Sequence, residues 1–213
     1  MVSSDSYHNS SNGTSQTLPA TMRAAQLVAY NKPYQVTSSL AIPQVRDPRD
    51  VLIKVRAASY CFTDVEVARG MPVHGGCTLP IIPSHEGVGT IVSLGTDSDT
   101  TNGTTNGNHT KKERFHVGQR VGTLNHYHAC GECVECLADP KNGYLWCQTN
   151  VHTLGLTMDG PMAEYLLADA DHVFPLPDKL DDLDASALMC AGVCDIKLQG
   201  MYRRLTGLVD YNS

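Results

Sequence analysis

The sequence predicts a mainly β fold with short helices, arranged as a β-barrel or sandwich. Three observations carry that expectation: the apolar runs are short, several alternate with the two-residue period of a strand, and 18 Gly and 11 Pro punctuate the chain as turn formers. At 213 residues the chain has room for one sizeable core with appendages, since domains cluster at about 100 to 200 residues.

Taken in order, residues 1 to 20 are rich in Ser, Thr and Asn without apolar periodicity, and are expected to form a disordered tail. From Met22 the pattern turns to strands. Ala25-Gln26-Leu27-Val28 reads as one, and Val51, Ile53 and Val55 alternate with Leu52, Lys54 and Arg56 as a half-buried second. Val88 to Leu94, Phe115 to Val121 and Met162 to Ala168 read the same way. Residues 96 to 114 are almost wholly polar and contain Asn-Gly twice, which suits an inserted loop between two strands. Asp181 to Met189 has an acidic start followed by Leu183, Ala187 and Leu188 at helical spacing, so a short helix is expected to deliver Cys190 at its exit.

Composition excludes several classes of partner. A net charge of −6 and the absence of a long basic stripe, with Lys111, Lys112 and Arg114 forming only a short cluster, argue against nucleic acid. No run approaches the ~18 apolar residues of a membrane span, and the first twenty residues lack an apolar signal core. A soluble, cytoplasmic protein is therefore expected. In a reducing compartment its eight cysteines favour metal over disulfides.

Cys130, Cys133 and Cys136 follow one another at two-residue intervals, and Cys147 comes after ten more residues. Four thiolates so close suit one tetrahedral structural zinc ion; disulfides or free thiols are the alternative. Gly131 allows a tight turn between ligands, while Pro140 and Asn142-Gly143 punctuate the return, so residues 126 to 150 are expected to form a zinc-bearing lobe.

A second constellation lies elsewhere: Cys61 in Cys61-Phe62-Thr63-Asp64, His85-Glu86 before Gly87-Val88-Gly89, and Cys190 in Cys190-Ala191-Gly192-Val193. Two thiolates and one imidazole can hold zinc with its fourth position open as a Lewis acid. Each residue alone has a plainer explanation, as a small apolar side chain or a loop histidine.

Together these ordered motifs, over about Met22 to Val193, resemble the zinc-dependent alcohol dehydrogenase family of the medium-chain dehydrogenase superfamily. The resemblance implies a GroES-like, partly open β-barrel over residues 21 to 193, with Cys61, His85 and Cys190 as catalytic zinc ligands and Cys130, Cys133, Cys136 and Cys147 as structural ones. It implies that the Thr63 hydroxyl relays a substrate proton, that Asp64 orients the ligand histidine, and that Glu86 lies near the metal as an alternative ligand. A helix cap is the competing explanation for Thr63 and Asp64. The family reaction is oxidation of an alcohol to an aldehyde or ketone with NAD(P)+, and its substrates are small alcohols or carbonyls.

The chain departs from the family pattern in four places. The interval from Cys136 to Cys147 is longer than usual, at a closure cost of about 0.3 kcal/mol, small beside the roughly 10 kcal/mol of a structural zinc site. Phe62 replaces a His or Arg that contacts the cofactor pyrophosphate in many members. Glu66 replaces a histidine that passes the proton to solvent in several. After Val193 the resemblance stops: residues 194 to 213 read as a divergent tail, and no G-x-G-x-x-G is present. A truncated chain without the Rossmann domain is therefore expected, with no cofactor-binding residues and no activity alone. A non-catalytic zinc-binding scaffold or interaction module is the alternative.

Overall fold

The computed structural model describes residues 18–72, 77–95, 115–138, 147, 149 and 152–192. The expected tail up to residue 17, the inserted loop at 96–114, much of 139–151 and the segment from 193 onward lie outside the described residues.

The chain opens with a hairpin of β1 (Thr21–Gln26) and β2 (Gln35–Ala41), paired antiparallel. β3 (Asp50–Ala58) is followed by α1 (Phe62–Ala68) and β4 (Gly87–Leu94). Then come β5 (Arg120–Thr123), β6 (His126–Tyr127), α2 (Val134–Ala138) and β7 (His152–Thr153). β8 (Tyr165–Asp169), a single 3-10 turn (Ala170–His172), β9 (Val173–Pro175) and α3 (Asp182–Leu188) complete the order. The main sheet runs β8-β3-β4-β5-β9, and each of its ladders is antiparallel. β6 and β7 form a separate pair at the root of the cysteine lobe. The mainly β class with short helices is what the alternating runs and Gly/Pro spacing indicated.

Packing explains where the sequence reading differs. β3 was expected to be half-buried, yet Leu52 is 2% exposed, as deeply set as Val51 and Ile53. Val51 and Ile53 pack with Ile91, Val121, Leu154 and Leu166 on one face, and Leu52 packs with Met22, Ala24 and Ile82 on the other. The β1–β2 hairpin covers that second face, joined through a bridge between Ala24 and Ala163, so a central strand buried on both sides loses its alternation. Burial of each such side chain contributes about 1.5–3 kcal/mol.

Three strand limits also move. The first strand spans Thr21–Gln26, and Leu27 makes only an isolated bridge to Ile81. The run from Phe115 to Val121 is interrupted by a turn with Gly118 at φ 92°, so the strand begins at Arg120. The run from Met162 becomes regular at Tyr165 and extends to Asp169.

The last helix forms where its acidic start indicated. Asp181 caps α3 by accepting from the backbone N–H groups of Leu183 and Asp184, both at 2.9 Å. Ala185 and Met189 pack on Val88 of β4 and on Leu176, which seats the helix against the sheet. Asp182 adds an ionic brace, accepting from Arg56 of β3 and from Arg120 Nε of β5 at 2.5 Å. Burial alone would raise the Asp182 carboxyl, but the two guanidinium groups more than offset this and hold it below the usual carboxylate range.

Candidate metal centres

Cys61, His85, Glu86 and Cys190 come from three separate segments, yet their ligand atoms lie within 4.8 Å of one another. The fold explains this convergence. Cys61 is the N-cap of α1, immediately after β3; His85 and Glu86 lead into β4, the neighbouring strand; Cys190 follows the C-cap of α3.

Asp64 ties the first two segments together. Its Oδ2 accepts from the Cys61 N–H at 2.9 Å, and its Oδ1 accepts from the Ser84 N–H at 2.8 Å. It therefore caps the helix and fixes both ligand loops at once, acting on the backbone beside His85; no hydrogen bond joins it to the His85 ring among the described residues. Burial pushes its carboxyl up, partly offset by the Cys61 N–H and the charge of His85.

Ser84 sits in the left-handed region at φ 75°, an uncommon conformation for a residue with a Cβ. Its hydroxyl donates to the Ser59 carbonyl and accepts from the Glu86 N–H, which holds that turn. Gly155 and Gly160 pass directly over the Ser84 carbonyl, where any Cβ would overlap it. Glycine is needed there for close backbone approach.

Glu86 is fully buried. Ser59 donates its hydroxyl to Oε2, and the Ala191 N–H donates to Oε1 at 2.7 Å. The carboxylate thus latches the residue after Cys190 to the segment bearing His85. Thr63 Oγ1 lies 3.9 Å from Cys61 Sγ, on the same rim, whereas Phe62 is 67% exposed.

The donor set fits zinc. Cys61 Sγ and Cys190 Sγ are 4.0 Å apart, close to the ~3.8 Å edge of a tetrahedron of sulfurs about 2.3 Å from a central ion. His85 Nδ1 is buried without a hydrogen-bond partner, an unfavourable state for an imidazole unless a ligand relieves it.

The cysteine lobe has matching dimensions. Cys130 Sγ lies 3.5 Å from Cys147 Sγ and 4.0 Å from Cys136 Sγ, and all four sulfurs fall within 4.8 Å. These separations far exceed the ~2.05 Å of a disulfide. Backbone N–H groups of Glu132 and Cys133 donate to Cys130 Sγ and lower its thiol to about 6. Burial and the adjoining thiols push Cys136 up to about 12. Such a cluster releases protons when metal takes its sulfurs.

The sequence indicated all seven residues that the fold gathers into the two clusters but missed Ser59 and Ser84, which lock the loops; the His85 motif drew attention to Glu86 rather than to the serines holding it. Glu66 lies on α1, part-buried, outside the ligand cluster.

Comparison with known proteins extends this picture. Residues 47–178 match the alcohol dehydrogenase GroES-like domain. An alcohol dehydrogenase of Geobacillus stearothermophilus is 34% identical over 181 residues, which are 83% of this chain and 46% of that relative. The chain thus spans about half the length of the curated relatives it matches. The alcohol dehydrogenase of Aeropyrum pernix shares the fold with a TM-score of 0.67 at 24% identity, over 85% of this chain and 48% of that one. CAD from Helicobacter pylori, solved in complex with NADP(H), shares it with a TM-score of 0.63 at 20% identity, over 85% and 49%.

Proposed function

The chain belongs to the alcohol dehydrogenase GroES-like domain family, and from that premise we propose that Cys61, His85 and Cys190 hold a catalytic zinc with one position open to an alcohol or carbonyl oxygen. The observation that carries the reading is the meeting of these ligand atoms within 4.8 Å from three distant segments. When bound, zinc supplies a Lewis acid that polarises the substrate oxygen.

The chain's own residues provide the setting. Thr63 Oγ1, 3.9 Å from Cys61 Sγ, would accept the hydroxyl proton of an alcohol while passing its own proton on to solvent, and so act as a relay. Asp64 and Glu86 hold the ligand loops in register through backbone N–H groups, so that little reorganisation accompanies metal binding. Cys130, Cys133, Cys136 and Cys147 hold a second, structural zinc.

The sheet ladders among the described residues are all antiparallel, and these residues contain no doubly wound parallel sheet for a dinucleotide. They supply the metal half of an oxidoreductase site. Transfer of hydride to NAD(P)+ then requires a cofactor wall beyond them, and the isolated chain is expected to be inactive.

Metal analysis of the purified protein tests this reading. Two zinc ions per chain are expected, one lost in Cys61→Ser and the other in Cys133→Ser, with no NADH or NADPH binding in a fluorescence titration. Loss of no metal in Cys61→Ser would overturn the catalytic assignment. Tight dinucleotide binding would overturn the expectation of inactivity.

A further inference from the structure

Two buried acids face each other across the main sheet, outside both cysteine-containing clusters. Asp50 begins β3 and Asp169 ends β8; they are register partners, and each is 1% exposed. Like charges opposite one another on adjacent strands are destabilising, and burial adds to the cost. Each therefore needs compensating partners.

Both carboxylates reach the stretch that leads into the cysteine lobe. Asp50 Oδ1 accepts from the Tyr127 hydroxyl at 2.6 Å and faces His128 Nε2 at 3.2 Å, with Asp47 near the same ring at 3.8 Å. Asp50 Oδ2 is held by the backbone N–H groups of Arg46 and Asp47, both at 2.8 Å. Asp169 Oδ2 accepts from the His128 N–H at 2.8 Å and lies 3.2 Å from His172 Nδ1, while its Oδ1 accepts from the Asp171 N–H. Arg49 donates to the next carbonyl, that of Ala129, at 3.2 Å.

Three successive residues, Tyr127, His128 and Ala129, are thus tied to the sheet just before Cys130. His128 is held at its backbone N–H by Asp169, with its ring 3.2 Å from Asp50, in the left-handed region at φ 51°.

We propose that Asp50 and Asp169 are positioning residues for the cysteine lobe, setting the approach of Cys130 so that metal retention there depends on two carboxylates of the main sheet. This rests on reading the four cysteines as a metal site. Fixing the residues just before Cys130 would support that sulfur indirectly, one step further out than the outer-shell partners that tune metal affinity.

Zinc release to a chromophoric chelator tests the proposal. Cys61→Ser isolates the lobe metal, and Cys136→Ser isolates the other. Asp50→Asn and Asp169→Asn are each expected to speed release from the lobe by about 10- to 100-fold, and from the other site by less than about twofold. Unchanged lobe release, or equal acceleration at both sites, would overturn it, the latter because it indicates general destabilisation. Should the Asn variants fail to fold, Tyr127→Phe removes only the hydroxyl given to Asp50; faster lobe release supports the proposal and an unchanged rate rejects it. If the Cys61→Ser protein binds no metal at all, the metal reading of the lobe fails and the proposal with it. That result is distinct from a lobe that binds zinc and ignores the carboxylates.

Discussion

The two candidate metal centres are assembled on opposite plans. In the lobe, Cys130 and Cys147 are 17 positions apart, and the backbone between the first three cysteines already turns its N–H groups toward sulfur. In the other centre Cys61 and Cys190 are 129 positions apart. Loop-closure entropy explains little of the contrast, because the longer span costs only about 1.8 kcal/mol more. What separates them is who does the positioning. The lobe relies mainly on local turns, with contacts from the main sheet only at the stretch before Cys130, whereas the distributed centre relies throughout on a framework of Asp64, Ser84, Glu86 and the seat of α3.

The largest expected effect breaks the lobe. Structural zinc contributes roughly 10 kcal/mol to the order of its surroundings. Cys136→Ser should therefore abolish hydrogen-exchange protection across residues 126–138, while Cys61→Ser loses its metal with the protection of β3 and β4 intact. Equal loss of protection in both variants would remove the distinction between local and framework-built sites.

A smaller effect strikes the framework. Gly160→Ala would press a methyl against the Ser84 carbonyl and should cost about 1–3 kcal/mol, read by chemical denaturation. It should weaken zinc at the Cys61, His85 and Cys190 centre and leave lobe zinc unchanged. A variant that keeps both metals at full affinity would show that the Ser84 turn does not set the geometry.

The smallest effect concerns acid. Burial would raise Asp169, but His172 and the N–H groups of Asp171 and His128 outweigh it and hold the carboxyl below its ordinary range. Its stabilising contribution is therefore present above the unfolded value near 3.9 and lost as pH falls through the folded one. Asp64 has the opposite sign in the metal-free protein: its folded value is raised, so its contribution is present below about 3.9 and lost as pH climbs through the raised value. Thermal midpoints between pH 3 and 6 should show a shallower acid slope in Asp169→Asn and a steeper one in Asp64→Asn. Slopes changed in the same direction would contradict the assignment.

The same contrast governs what the sequence made legible. Cys130, Cys133 and Cys136 announce themselves by interval, because their geometry is local. Cys61, His85 and Cys190 read as a possible group from residue chemistry and were given roles through the resemblance, while their convergence depends on β3, β4 and α3 meeting in space. The helix before Cys190 was readable because its acidic cap and apolar spacing are local signals. The burial of Leu52 was not, since it depends on a hairpin folded over the second face of β3. The role of Ser84 was not legible either: its turn is held through Ser59, some twenty-five positions back, and is overlain by Gly155 and Gly160, some seventy positions ahead. The facing of Asp50 and Asp169 likewise arises from strand register, which composition does not reveal.

The brace that joins Asp182 to Arg56 and Arg120 has a consequence for synthesis. At about 5–20 residues per second, the lobe cysteines all emerge from the ribosome within roughly 1 to 3 seconds of the first, whereas Cys61 waits about 6 to 26 seconds for Cys190. Until Asp182 arrives, Arg56 and Arg120 on neighbouring parts of the sheet stand without the carboxylate that bridges them. Docking of α3 then brings the charge partner and the last thiol in one step, so the distributed centre cannot be complete before Cys190 has been synthesised.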